Sequence, residues 1–278
     1  MQKFITMSQL TSSEGFGSQM ANFAALYAVS RKTGHRIVFL DHWIGGKGLM
    51  LHVPFVSLPL EVLPMSAIGA SEAVAVFAID SRVVVDSRVF ELDENLNYDI
   101  RHFFTSYRYW YPQRQAVQEM FRFKPEIGRE AAQLLAAADA RGREIVSVSV
   151  RRTDFLSSPY HHNLSPAYYA DAFAQFRGDN YLFLVFSDDM EWCRAQFGRR
   201  ANVAFAPPAS SHYVDMCAIS LCQHHIVANS SFGVWGALLN RNLRKKVVCP
   251  SRFLKTDLEI PYINYAWHPD DWVALDDL

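Results

Sequence analysis

Cysteine is scarce: four stand among 278 residues, at Cys193, Cys217, Cys222 and Cys249, and no two form a CxxC pair. A zinc site needs closer ligand spacing than that. Cys217 and Cys222 lie in an apolar run and read as reduced core thiols, which fits a reducing, cytosolic compartment. Excess charge is missing too. The net charge of -1 excludes the basic balance of a nonspecific nucleic-acid binder, so an anionic ligand must be met by a local cluster. Long hydrophobic runs are absent: charges interrupt every apolar stretch well before the ~18 residues of a spanning helix. The amino terminus has no basic segment followed by an apolar core and a cleavage site, so neither a signal peptide nor an integral membrane segment is expected. Repeats and low-complexity linkers are also lacking.

What is present is a core. Half of the residues are hydrophobic, and the length corresponds to one large domain or two modest ones. Residues 4–7 read as a short strand. Behind them stands Gly15-Phe16-Gly17-Ser18-Gln19-Met20, then a helix over 21–33 stopped by Gly34, then a strand over 36–40. Such a β–Gly-loop–α–β unit leaves backbone N–H groups open at a helix start. The loop lacks the third glycine of GxGxxG, so a dinucleotide site is not indicated. Residues 41–64 read as a loop with short helices, and 73–89 as two strands. Helices are expected over 113–123 and 128–140, with a domain boundary near Gly142 between an N-terminal domain, 1–141, and a C-terminal domain, 142–278. The aromatic run Phe103, Phe104, Tyr107, Tyr109, Trp110 and Tyr111 suits core packing better than a sugar platform.

The second half repeats the α/β rhythm. Residues 144–150 and 181–186 read as strands buried on both faces. Ser165 followed by Pro166 marks a helix start. Further strands are expected at 202–205, 226–228 and 246–249, with helices at 190–197, 212–222 and 234–239 between them. Three polar clusters then fall at carboxyl ends of strands: Arg151-Arg152, Asp188-Asp189 and Asn229-Ser230-Ser231. In a parallel sheet those ends converge on one ligand-binding edge. Guanidinium suits a diphosphate, a serine-rich helix start suits phosphate oxygens, and a carboxylate can take two N–H donors of guanine. Two adjacent aspartates without a third carboxylate make a poor metal cage, and no metal ligands are assigned.

The order of these motifs resembles the α-1,2-fucosyltransferase family and, more distantly, the α-1,6- and protein O-fucosyltransferases. The resemblance runs from about Glu14 to Trp272. Gly15–Met20 is similar to the family's opening Gly-x-Gly-Asn-Gln-Met, and Ser149-Val150-Arg151-Arg152-Thr153-Asp154 to its His-x-Arg-Arg-Gly-Asp. Phe186-Ser187-Asp188-Asp189 with Trp192 resembles its Phe-Ser-Asp-Asp segment. Asp215-Met216 through Asn229-Ser230-Ser231-Phe232-Gly233 to Asn240 is the best match of the four. Departures stand at Ser149 for the usual His, Thr153 for Gly, Ser18 for Asn and Val234 for Trp. The Thr, and the Gly-Phe-Gly of the opening loop, are features of the α-1,6 branch.

The resemblance implies a GT-B-like α/β fold, with two Rossmann-like halves facing across a cleft. The N-terminal half would serve the acceptor and the C-terminal half the nucleotide sugar. It implies an inverting, metal-independent transfer of L-fucose from GDP-β-L-fucose to a hydroxyl of a glycan, with galactose as the expected acceptor sugar. No cofactor is implied beyond the donor substrate. A short chain without an expected anchor suits a bacterial polysaccharide or lipid-linked glycan pathway, in which a lipid-linked acceptor would be reached from the cytosolic side. Arg151 is expected on the diphosphate, with Arg152 holding it or the loop, or the reverse. Asn229, Ser230 and Ser231 are expected around phosphate and ribose, Asp188 at guanine, and Gly15, Gly17, Ser18, Gln19, Ser149, Asp189 and Phe232 elsewhere in the donor site. Candidate bases are Glu14, Asp154 and His162, with Asp154 better read as a partner of the arginines. Two rivals stand beside this reading: a transferase for another nucleotide sugar or linkage, and a glycan- or nucleotide-binding module without turnover.

Overall fold

The computed structural model describes residues 2–8, 10, 15–40, 50–64, 73–80, 82–104, 106–255 and 266–277. The chain forms two compact units, one of Met1–Arg122 with Ile260–His268, the other of Phe123–Glu259 with Pro269–Leu278. The division falls before the expected boundary at Gly142, because helix α3 (Pro125–Ala137) belongs to the second unit. Its Ala131 and Leu134 are buried in one core with Val214, Cys217 and Ala218 of helix α6 (His212–Leu221).

The first unit is a five-stranded sheet in the order β3-β2-β1-β5-β4, with every recorded pairing parallel. Strands β1 (Phe4–Thr6) and β2 (Arg36–Leu40) fall where expected. Helix α1 (Phe16–Thr33) links them and starts earlier than 21, so most of the glycine loop is its first turn. Phe16, Met20 and Phe23 recur at helical spacing and are buried, which pulls Gly17–Met20 into the helix. Gly34 ends it at φ 78°, a left-handed conformation that suits glycine.

Strands β3 (Glu61–Leu63) and β4 (Val74–Ala78) lie at the sheet's two edges. β3 falls within 41–64, which reads as loop from sequence. Of the two strands expected over 73–89, only β4 forms among the described residues; Ser87–Glu91 is a 3-10 turn capped by Asp86. The fifth strand, β5 (Asn97–Arg101), sits instead in a polar stretch. Its polar acceptors find donors across the sheet: Asn97 Oδ1 accepts from Phe4 N at 3.1 Å, and Asp99 accepts from Ser8 N at 2.9 Å and Ser8 Oγ at 2.8 Å, while Asn97 Nδ2 is buried without a partner. Helix α2 (Arg114–Met120) completes the unit.

The second unit is a six-stranded sheet in the order β11-β10-β9-β6-β7-β8, again with every recorded pairing parallel. At its centre are β6 (Glu144–Val150), β7 (Tyr181–Ser187) and β9 (His224–Ile226), flanked by β8 (Val203–Phe205), β10 (Val247–Pro250) and β11 (Val273–Leu275). The period of two along β6 divides its side chains between two cores. Val146, Val148 and Val150 meet helix α4 (Pro166–Ala174) through Tyr169 and Phe173, and helix α5 (Met190–Phe197) through Cys193 and Phe197. Ser147 and Ser149 point to the other face. Ser165 caps α4 as read, accepting from Tyr168 N at 3.3 Å, with Pro166 in the first turn. Helix α7 (Ser231–Leu239) is apolar all round and buried along its length, as Gly233–Leu239 show. Burying a side chain the size of Phe173 contributes roughly 1.5–3 kcal/mol, so these two cores dominate the unit's stability.

Candidate functional site

In a parallel sheet every strand delivers its next loop and helix start to the same carboxyl edge. In the second unit that edge collects Arg151–Asp154 after β6, Asp188 and Asp189 after β7, the first turn of α6 after β8, and Asn229–Phe232 after β9.

The two arginines have different surroundings. Arg152 is pinned: its Nε donates to Asp189 Oδ2 at 3.1 Å, and its guanidinium lies 4.1 Å from the Trp192 ring centroid. Its backbone N–H donates to Asp188 Oδ1 at 2.9 Å. Arg151 lies 5.6 Å from the Phe155 ring centroid and forms ion pairs with Asp188 at 2.9 Å and Asp154 at 2.8 Å. Arg151 is 38% exposed at the side chain and Arg152 17%. Arg151 is therefore the arginine with access to a ligand, and the more exposed Asp154 is the partner it can exchange. An exposed ion pair contributes roughly 0–1 kcal/mol, so an incoming phosphate can displace it.

The aspartate pair is committed to this loop. Asp188 accepts from Arg151, from Arg152 N–H and from Thr153 Oγ1 at 2.5 Å. Asp189 caps α5, accepting from Trp192 N at 3.1 Å, and also holds Arg152. Asp188, expected at guanine, meets three donors of the arginine loop in this structure, which leaves one lone pair on Oδ1.

Helix α7 begins at Ser230 with no side-chain cap, so its first-turn N–H groups are open to an anion. Ser149 faces this turn. It is 7% exposed, its Oγ has no hydrogen-bond partner, and a Cβ placed on Gly233 would lie 2.8 Å from it. Asn229 donates through Nδ2 to His162 O at 2.6 Å and to Phe253 O at 2.9 Å. Its buried Oδ1 is unpartnered, so the side chain has an acceptor to spare and no N–H to spare. Phe232 packs against the core that holds Val214 and Cys217, with its ring centroid 6.4 Å from that of His212.

Two carboxylates gain weight from the structure. Asp215, quoted above only within a motif, stands in the first turn of α6 with no side-chain partner among the described residues. Burial, helped by the nearby charge of Glu130, pushes its pKa up to about 6. Asp277 drew no notice in the sequence, since its partners lie more than a hundred residues away. It accepts from His162 Nε2 at 2.9 Å, from Ser165 N at 2.8 Å and from Ser165 Oγ. Beside it, His161 stacks on Phe155 with centroids 3.9 Å apart.

In the first unit, Gly15 is the N-cap position of α1 and Gly17 is buried in its first turn. Ser18 accepts through its carbonyl from Asn22 Nδ2 at 3.0 Å. Gln19, 1% exposed, accepts through Oε1 from Met50 N at 2.9 Å and so braces the fold at this point. Glu14 lies outside the described residues.

Two parallel sheets with helices between their strands are the doubly wound class, and solved structures share the arrangement. The fucosyltransferase NodZ from Bradyrhizobium aligns with a TM-score of 0.57 at 15% identity, over 86% of this chain and 94% of that one. The alpha-1,6-fucosyltransferase NodZ soaked with GDP-fucose aligns at 0.53 and 16% identity, over 86% and 93%. The fold is thus GT-B-like. The model of glycosyl transferase family 11 matches residues 88–261, and the chain belongs to that family. An alpha-1,2-colitosyltransferase of Escherichia coli is 31% identical over 185 residues, 63% of this chain and 61% of the relative. A galactoside alpha-(1,2)-fucosyltransferase 1 of Saimiri sciureus is 25% identical over 238 residues, 81% and 63%. The chain spans about three fifths of the length of these two relatives.

Proposed function

We propose that this chain transfers L-fucose from GDP-β-L-fucose to a hydroxyl of a galactoside on a glycan acceptor, with inversion and without a metal. The observation that carries the reading is the uncapped start of α7, with Ser149 Oγ and Asn229 Oδ1 unpartnered beside it, in a chain of glycosyl transferase family 11.

Departure of the diphosphate concentrates negative charge on the leaving oxygens. The open N–H groups of Ser231 and Phe232 and the guanidinium of Arg151, released from Asp154, receive that charge in a half-enclosed edge where electrostatic stabilisation is strong. Asn229 Oδ1 accepts from a ribose hydroxyl. Asp215 takes the role first read for Asp188: a desolvated carboxylate without a cation suits the two N–H donors on the base edge of guanine. The anomeric carbon becomes oxocarbenium-like as the bond to diphosphate breaks, so the acceptor hydroxyl needs modest help from a base.

His162 is the base of this reading. Asp277 accepts its Nε2–H, which leaves the Nδ1 lone pair to take the hydroxyl proton. Asp154 pairs with Arg151 instead. The setting is bacterial and cytosolic, with a lipid-linked acceptor reached from the cytosolic side; the Escherichia coli relative supports it. Among the described residues no helix is long and apolar enough to cross a membrane.

One second reading has support: the relative named an alpha-1,2-colitosyltransferase favours transfer of a sugar other than fucose. Transfer and hydrolysis measured with GDP-fucose, GDP-mannose and UDP-galactose test the proposal. It predicts turnover with GDP-fucose alone. Nucleotide binding without turnover of any donor supports the non-catalytic module in its place.

A further inference from the structure

The amino edge of the second sheet, opposite the ligand edge, has its own character. There the loops entering each strand lie side by side in the sheet order β10-β9-β6-β7-β8. Arg241 and Arg244 precede β10, Arg141 precedes β6, Arg177 precedes β7, and Arg199 with Arg200 precede β8; all are exposed. At ~4.8 Å per strand this row is about 20 Å long. Lys245 and Lys246 add charge behind it while their ammonium groups donate inward, to Asn240 O at 2.5 Å and Gln175 O at 2.6 Å. Acidic residues are fewer. Asp139 pairs with Arg141 at 3.0 Å, Glu144 contacts His224, Asp179 stands beside Arg177, and Asp270 and Asp271 stand before β11 at the end of the sheet. In a chain of net charge -1, this edge is a local basic excess.

Basic residues at helix ends also complement the helix dipole, and several of these follow α5 or α7. That role does not account for the leucines between them. Leu243, between Arg241 and Arg244, is 100% exposed, and Leu221, at the end of α6 beside β9, is 48% exposed. Aliphatic side chains held out into water among arginines match the water–lipid interface, where the guanidinium meets phosphate headgroups and the leucine enters the acyl boundary. A nucleic acid would use the arginines and leave Leu243 in water.

We infer that this edge, with Leu243 at its tip, is a peripheral docking surface for a bilayer of anionic phospholipid. The inference does not depend on the donor or the reaction. Docking here leaves the edge bearing Arg151 facing away from the lipid, one strand length above it, so it is open to the outer end of a membrane-anchored glycan.

The test is cosedimentation of the full chain with vesicles of phosphatidylglycerol mixed into phosphatidylcholine, against vesicles of phosphatidylcholine alone, at low and high salt. Binding to the mixed vesicles that weakens with salt is expected. Leu243→Ser should weaken it about tenfold or more, the scale of losing one buried leucine. Arg241→Glu with Arg244→Glu should abolish it, while the control Arg129→Glu on α3 leaves it unchanged. The same variants should melt at the parent's temperature, which separates loss of docking from misfolding. Equal binding to neutral vesicles, no binding to either, or indifference to Leu243→Ser would overturn the inference. Tight binding of an RNA oligonucleotide that needs the arginines and ignores Leu243 would overturn it in favour of nucleic acid.

Discussion

Ser149 and Gly233 interlock: a Cβ on residue 233 would come within 2.8 Å of both Cβ and Oγ of Ser149. The glycine thereby brings the first turn of α7 down onto the end of β6, setting the open N–H groups near Arg151. Gly233→Ala should push the turn outward, lowering stability by about 1–3 kcal/mol and weakening nucleotide binding. Adding Ser149→Gly should restore much of both. Denaturant unfolding of the two single variants and the double variant measures the coupling.

Asp188 works as the hub of the arginine loop. Asp188→Asn keeps the shape but loses the charge opposite Arg151 and one acceptor for Thr153 or Arg152 N–H. It should lower stability by about 1–3 kcal/mol and weaken GDP and ADP alike. Loss of guanine preference with stability unchanged would instead return Asp188 to the base-reading role.

The bond from His162 to Asp277 fixes a tautomer in the proposed mechanism. In Asp277→Asn the amide can donate to Nε2, which moves the proton to Nδ1 and removes the base. The expected outcome is a fall in kcat of about a hundredfold or more with the donor KM little changed. Ser165→Ala, which loses the cap of α4 but spares the His162 contact, should cost stability rather than kcat. Steady-state kinetics with thermal melts separates the two.

Two buried groups give opposing pH dependences. Burial holds His225 near 3, below its ordinary 6.5, so between these values the unfolded chain takes up a proton that the folded chain refuses. Stability therefore falls as pH drops through that window, by at most ~1.4 kcal/mol per pH unit. Asp215, raised from 3.8 to about 6, does the reverse: the folded chain retains its proton longer, and stability falls as pH rises through that window. Asp215→Asn should be more stable than the parent at pH 7, and its stability should rise more steeply between pH 4 and 6. Denaturant melts across that range report both.

The second unit was the more legible in sequence. The apolar runs of β6 and β7 are buried on both faces, and Ser165-Pro166 starts α4 by local chemistry alone. β5 escaped notice because Asn97 and Asp99 look like loop residues until their partners Phe4 and Ser8 are brought alongside. Val83–Val85 has strand composition, yet Asp86 turns the chain by accepting from Arg88 N. The motifs that sequence assigns to strand ends do gather at one edge of the sheet, since strand ends and turns are local features. Roles within it were less legible, because they depend on which partner a side chain has already taken. Asp188 is engaged by Arg151, Gln19 by Met50, and Asp277 reaches His162 from the far end of the chain.

The central claim is that Arg151 and the start of α7 form the diphosphate site of a GDP-sugar transferase. Calorimetric titration of the full chain with GDP, beside Arg151→Ala, tests it most directly. The account predicts saturable GDP binding by the parent and a loss of about tenfold or more in the variant, whose melting temperature stays close to the parent's. Equal affinity in the two proteins, or no GDP binding by the parent, would contradict it.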